Sequence, residues 1–175
     1  IVKPLNDLSR KDVPYVWSAS CDSAFHNLKQ AICSAPLLKH VDFTLPFIME
    51  TDASEFAVGA TLSQPISLTD STYHPVAFFS RKLSAPELNY HVHDKELLSI
   101  ISAFQFWRHY LVGSRTPVQV YSDHRNLLFF RSRQVLTGRH ARWSQFLADF
   151  NFPLSYRPGY LNVVADLLSR RADYG

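Results

Sequence analysis

Phe47-Ile48-Met49-Glu50-Thr51-Asp52-Ala53-Ser54-Glu55-Phe56-Ala57-Val58-Gly59-Ala60-Thr61-Leu62 reads as two short strands joined by a tight turn. The first run, Phe47 to Met49, is apolar, and the second, Phe56 to Leu62, is rich in Ala, Val and Gly. Asp52 stands between them among small polar residues. A carboxylate at the end of an apolar strand is costly unless it is solvated, hydrogen-bonded or bound to a cation. Taken alone, the stretch also fits an Asp that bonds a nearby backbone N–H in the turn. The remainder of the chain has to decide between the two.

Outward from this pair, residues 46–52, 56–63 and 74–80 read as three strands, with a Pro-, Ser- and Thr-containing loop over 64–72. Short connections make sequential strands antiparallel neighbours. Residues 81–90, with Pro86, read as a loop. Residues 91–112 form the longest periodic helix: Leu97, Ile100, Ile101, Phe104, Trp107 and Leu111 recur at threes and fours, and Gly113 stops it. A strand over 117–122, a short helix over 124–131 and a helix over 139–150 follow. A strand over 153–157 and a final helix over 162–170 complete the chain. The helical crossovers place strands 4 and 5 parallel to strand 1, in an α/β domain. Upstream, residues 1–17 read as a loop or short helix and an extended piece. Residues 18–35 read as a helix that Ser18 or Ser20 can cap and Pro36 ends, and 37–45 as a linker.

Composition bounds the function. The 175 residues are 46% hydrophobic and 14% aromatic, enough for one domain with an appendage. No apolar run reaches membrane-spanning length. Met49 is the only methionine, and the chain reads as a fragment or processed product without a signal peptide. Cys21 and Cys33 fall in one predicted helix, ~18 Å apart along its axis, so they cannot pair; reduced thiols suit an intracellular setting. The net charge of +3 permits a nucleic-acid partner without demanding one. Residues 125–142 carry five arginines and no acid.

Four acids are candidates for shared chemistry. Asp52 ends strand 1 and Asp123 ends strand 4, so parallel neighbours would bring them side by side at the carboxyl edge where α/β sites collect. Glu96 borders the apolar stripe of the long helix. Asp166 lies between Val164 and Leu167 in the last helix. Each alone fits a cap, an ion pair or a solvated residue. Together they would repel one another unless one is protonated or a hard cation intervenes. Two divalent ions can stabilise the attacking and leaving oxygens of a phosphodiester displacement.

Several stretches carry a resemblance: Thr51-Asp52-Ala53-Ser54, Phe78-Phe79-Ser80-Arg81-Lys82-Leu83, Asp94-Lys95-Glu96-Leu97-Leu98 and Ser122-Asp123-His124-Arg125-Asn126-Leu127. Tyr156-Arg157-Pro158-Gly159 and Asn162-Val163-Val164-Ala165-Asp166, ending in Leu168-Ser169-Arg170, continue it. In this order they resemble the ribonuclease H domain of gypsy-type LTR retrotransposon polyproteins. The resemblance implies a five-stranded mixed sheet of order 3-2-1-4-5 over residues 46–172, preceded by the end of a reverse transcriptase thumb or tether over 1–45. It implies that Asp52, Glu96, Asp123 and Asp166 bind two Mg²⁺ ions, with Mn²⁺ as a substitute, and that the RNA strand of an RNA/DNA hybrid is cut. Tyr156 stands where many cellular relatives have a histidine, as it does in retrotransposon relatives; a catalytic role and a packing role both remain open. Ser54, Asn89 and Tyr90 are candidates for the groove, and Arg125, Arg139 and Arg142 for phosphates. The expected partners are the hybrid and an upstream reverse transcriptase, in an intracellular virus-like particle, without a membrane. A homodimer through the parent protein and a nuclear stage stay open, as does a catalytically silent, connection-like module of the same fold.

Overall fold

The computed structural model describes residues 2–34, 38–70, 72–125, 138–171 and 174. The chain divides into two compact units, Ile1–Leu37 and Leu38–Gly175. The first holds α1 (Lys3–Leu8) and α2 (Ala19–Ser34). Pro4 sits in the first turn of α1, where its missing N–H costs nothing. The Ser18 hydroxyl accepts the Cys21 N–H at 3.4 Å at the start of α2. Trp17 meets Phe25 edge-on at 6.2 Å. Both thiols are free, Cys21 buried and Cys33 exposed.

The second unit runs β1 (Ile48–Ala53), β2 (Ala57–Pro65), β3 (Tyr73–Lys82), α3 (Ala85–Leu88), α4 (Val92–Phe106) and α5 (Arg108–Leu111). It continues with β4 (Gln119–Ser122), α6 (Gly138–Leu147), β5 (Leu154–Tyr156), a 3₁₀ turn (Gly159–Leu161) and α7 (Val163–Ser169). The sheet order is β3-β2-β1-β4-β5, as the resemblance implies. β2 pairs antiparallel with β1 and β3, and β4 pairs parallel with β1 and β5.

Alternation along β1 sends Met49 and Thr51 to one face and Glu50 and Asp52 to the other. Phe47, Met49, Val58, Ala60 and Leu62 join Leu97, Ile100, Ile101 and Phe104 of α4 in the core. Each of the larger side chains, fully buried, contributes about 1.5–3 kcal/mol of apolar transfer. All nine residues of β2 are buried, since α4 and α7 both pack on it.

Three departures from the sequence reading have physical causes. The helix over 91–112 divides at Trp107, whose φ of −99° and ψ of 20° leave the helical region while its indole is buried at 1% exposure. Within the expected loop 81–90, α3 forms because Pro86 suits a first turn and Glu87 reaches back to the Ser84 N–H at 2.8 Å. Residues 38–45, read as linker, are held to the sheet: the buried Gln64 amide donates to Asp42 O and Leu45 O, and Lys39 N–H to Pro75 O. The expected helix 124–131 lies, beyond Arg125, outside the described residues. No helix among the described residues is long and apolar enough to cross a membrane.

Candidate functional site

The parallel pairing of β1 and β4 sets the centre of the site. Glu50 lies opposite Tyr121, and two residues further along each strand come Asp52 and Asp123. Both strands run out at this edge, so each carboxylate stands at a strand end. α4 crosses the sheet and brings Glu96 to the same point from its second turn. One carboxylate oxygen from each of Asp52, Glu96 and Asp123 lies within 4.8 Å of the others.

Two of the three are withdrawn from solvent, and Asp123 is half-buried. Asp52 is 5% exposed and Glu96 4%. Burial raises the Glu96 carboxyl well above its ordinary range, and the charges of Asp52 and Asp123 push it further, against a hydrogen bond from the Ala53 backbone. Burial also raises Asp52; a hydrogen bond from Ser169 opposes this, and Asp123 and Asp166 add to it. Glu96 Oε2 is buried without a hydrogen-bond partner among the described residues. An all-oxygen, mutually repelling set with an orphaned carboxylate oxygen suits a hard divalent cation.

Asp166, the fourth predicted acid, lies at the rim. It is close enough to raise Asp52, but it is not among the three that converge, and its Oδ1 accepts from Arg170 Nε at 2.5 Å. Tyr156 is half-buried at the end of β5, with the Arg125 guanidinium 4.5 Å above its ring. Gly159, on the same loop, passes so close to Asp123 that a Cβ there would lie 3.2 Å from its Oδ2.

The residues expected to touch nucleic acid divide into two groups. Arg142 and Asn89 are exposed, as is Arg125. Arg139 is committed: it pairs with the buried Asp94 and stacks on Tyr90 at 3.9 Å and Trp143 at 5.4 Å. His140 Nε2 meets the other Asp94 oxygen at 2.7 Å, so α6 is clamped to the start of the helix that carries Glu96. Ser54 spends its hydroxyl inside the protein, donating to Ser169 O at 2.6 Å and accepting the Ala57 N–H at 3.0 Å.

Sequence reasoning missed Ser169. Its hydroxyl, 1% exposed, donates to Asp52 Oδ2 at 2.5 Å. It stood in the Leu168-Ser169-Arg170 stretch without a role, and its place one helical turn after Asp166, which puts both on one side of α7, was the signal that could have given it one. The approach of Gly159 to Asp123 gave no signal at all, because only the fold brings them together.

A mixed sheet of order 3-2-1-4-5 with helices on both faces and carboxylates converging where β1 and β4 end defines a ribonuclease H-like domain. Residues 17–120 match the family model of the RNase H-like domain found in reverse transcriptase, and the chain belongs to that family. It is similar to the Transposon Tf2-3 polyprotein of Schizosaccharomyces pombe, 45% identical over an alignment that covers 99% of this chain and 13% of that one. The chain thus spans about an eighth of that relative's length. Among solved structures, the foamy viral protease-reverse transcriptase dRH in complex with dsDNA matches the fold with a TM-score of 0.61 at 19% identity, over 89% of this chain and 28% of that one. LC11-RNase H1 in complex with an RNA/DNA hybrid matches with a TM-score of 0.53 at 13% identity, over 71% of this chain and 92% of that one.

Proposed function

We propose that this chain is the ribonuclease H of a retrotransposon reverse transcriptase and cuts the RNA strand of RNA/DNA hybrids. The observation that carries the reading is the convergence of Asp52, Glu96 and Asp123 with a buried, unpartnered Glu96 oxygen. A single structural ion pair would leave no such surplus of negative charge. Residues 1–45 are the end of the polymerase thumb or tether, and 46–172 the nuclease. The parent works with the hybrid and its upstream polymerase inside a virus-like particle.

Asp52, Glu96 and Asp123 would hold Mg²⁺, or Mn²⁺ in its place, with Asp166 completing the set from α7. Bound there, divalent ions supply the positive charge that stabilises the attacking and leaving oxygens of a phosphodiester displacement. The residues do the rest. Burial keeps Asp52 and Glu96 out of bulk water, and in that lower dielectric their attraction to a cation would be stronger. Gly159 leaves Asp123 room at the strand end. Arg125 and Arg142 meet backbone phosphates, a contact independent of sequence, and Asn89 and Tyr90 face the minor groove, where the 2′-hydroxyls mark the RNA strand. Tyr156 holds the Arg125 guanidinium against its ring and so directs it.

The test is cleavage of a labelled RNA/DNA hybrid in Mg²⁺ by the full chain and by Asp123→Asn. The parent should release fragments with 5′-phosphates, and the variant should lose at least ~10²-fold in rate, the scale for removing an electrostatic contribution to the transition state. A parent that binds the hybrid and a divalent ion but does not cut is a silent interaction module. Equal cutting by both proteins removes Asp123 from the chemistry.

A further inference from the structure

We infer that Ser169 is a positioning residue for the metal centre: its hydroxyl fixes one oxygen of Asp52, so that the carboxylate meets a divalent cation already oriented. This rests on the metal-dependent reading above and adds to it a residue outside the four acids.

The argument begins with Asp52 itself. The terminal torsion of an Asp side chain is broad and roughly two-fold, so a carboxylate at a strand end turns freely unless something holds it. Ser169 Oγ lies 2.5 Å from Asp52 Oδ2 and 2.9 Å from Asp166 O. A hydroxyl has one proton to give, and the carboxylate is the stronger acceptor. The proton therefore goes to Asp52, and the other carboxylate oxygen is left for the cation side.

A donor orients its acceptor only if it is itself held, and Ser169 is held from several directions. Ser54 Oγ, seated in the β1–β2 turn, donates to Ser169 O at 2.6 Å. Ser80 Oγ, on β3, donates to Leu168 O at 2.7 Å. At the other end of α7, Asn162 Nδ2 donates to Thr51 O at 2.8 Å. Gly59, opposite Asp52 in the β1–β2 ladder, has no side chain, and α7 settles so close that a Cβ there would lie 2.6 Å from Ser169 N. The helix is therefore seated by polar pins and backbone contact. Its larger apolar residues add little: Val163, Val164 and Leu167 are exposed and Leu168 is half-buried, and only the small Ala165 is fully covered.

A bland alternative exists, in which Ser169 only satisfies the Asp166 carbonyl and helps α7 to dock. Ser80 separates the two, because it pins the same end of the helix without touching Asp52. The experiment is Mn²⁺ binding to the full chain by isothermal titration, with thermal melting alongside, for the parent, Ser169→Ala, Ser169→Cys, Ser80→Ala and Asp123→Asn. Ser169→Ala should weaken Mn²⁺ binding by about 10–100-fold, the usual effect of losing a group that orients a metal ligand. Ser80→Ala removes one of several pins, so it should lower the melting temperature and weaken Mn²⁺ binding far less than Ser169→Ala, because Ser54, Asn162 and the close approach at Gly59 still seat the helix and the Ser169 hydroxyl still meets Asp52. Ser169→Cys keeps the size and supplies a weaker donor, so it should fall between; it carries the test if the alanine variant does not fold. The inference is overturned if Ser169→Ala, or Ser169→Cys in its place, binds Mn²⁺ as the parent does. It is equally overturned if Ser80→Ala weakens binding as much as Ser169→Ala. Parent-like Mn²⁺ binding by Asp123→Asn would instead remove the metal reading itself, and is told apart by that variant alone.

Discussion

Gly59→Ala should uncouple α7 from the sheet. An ideal Cβ on Gly59 would lie 2.6 Å from Ala165 O, 2.6 Å from Ser169 N and 2.8 Å from Leu168 Cβ, and two of these are backbone atoms that cannot rotate aside. To restore ordinary contact near 3.4 Å, the helix must retreat by about 0.8 Å. That movement stretches the Ser54–Ser169, Ser80–Leu168 and Ser169–Asp52 hydrogen bonds, now 2.6, 2.7 and 2.5 Å, toward or past the limit of good geometry. Overpacking costs about 1–3 kcal/mol, and each weakened hydrogen bond up to about 1 kcal/mol. A total near 3 kcal/mol follows. Displacing the element that carries Asp166 by this much should also cost about 10²-fold in hybrid cleavage. Urea unfolding and hybrid cleavage read the two effects, with Gly138→Ala as the control, because among the described residues a Cβ there meets nothing nearer than the Arg142 guanidinium at 3.8 Å. A Gly59→Ala protein within 0.5 kcal/mol of the parent and cutting at the parental rate would refute the close seating of α7.

Three other perturbations test separate parts of the structure. Glu87, held by two bonds from Arg81, is lowered from 4.5 to about 2. The stability that its charge contributes is present above its unfolded value and lost as pH falls through the folded one, so the parent's advantage over Glu87→Gln in urea should shrink from pH 4.5 toward pH 2. Glu96 and Asp52 are shifted the other way, so metal-free protein should lose stability as pH rises above the ordinary carboxylate range, and Mg²⁺ should raise the melting temperature more at about pH 8 than at about pH 5. A Mg²⁺ effect independent of pH would argue against binding at these acids. Arg139→Ala should cost about 1.5–3 kcal/mol in unfolding, since it takes from the buried Asp94 its permanent cation and leaves it only His140 and His93; exposed Arg142→Ala should cost little stability, and equal costs for the two would sink the clamp.

Much of this fold was legible because its signals are local or periodic. The Asp52 stretch, bounded by apolar residues, fixes β1 and β2, and the spacing of Leu97, Ile100, Ile101 and Phe104 fixes α4. With the strand order, those two features place Asp52, Asp123 and Glu96 together. What was not legible depends on partners distant in the chain. Arg139 looked like a free cation, and nothing near it in sequence announces that Asp94, 45 residues away, consumes its charge. Ser54 looked available for a groove, but its oxygen is taken up by its own turn and by a carbonyl 115 residues on. The α7 sequence misleads in a different way. Val163, Val164 and Leu167 suggest an inward apolar face, while the buried residues are Ala165 and Ser169. Small residues let the helix lie flat against Gly59, and periodicity in hydrophobicity cannot register a contact made by backbone.

The two halves of the candidate site therefore differ in what holds them. Asp52, Asp123 and Glu96 are set by β1, β4 and α4, the elements that share the main core, and moving any of them means breaking apolar packing worth several kcal/mol. Asp166 rides on a seven-residue helix, too short to be stable by itself, and it is kept in place by the hydroxyls of Ser54 and Ser80, the Asn162 amide and a missing Cβ. Each of those pins is worth only about 1 kcal/mol. The fourth acid is the one whose position the protein can adjust cheaply, and Ser169 ties that adjustable helix to Asp52. Any shift of α7 therefore reaches the rigid half of the site through the Ser169 hydroxyl before it reaches it through Asp166, which is why the serine and the aspartate one turn before it should be read as a unit.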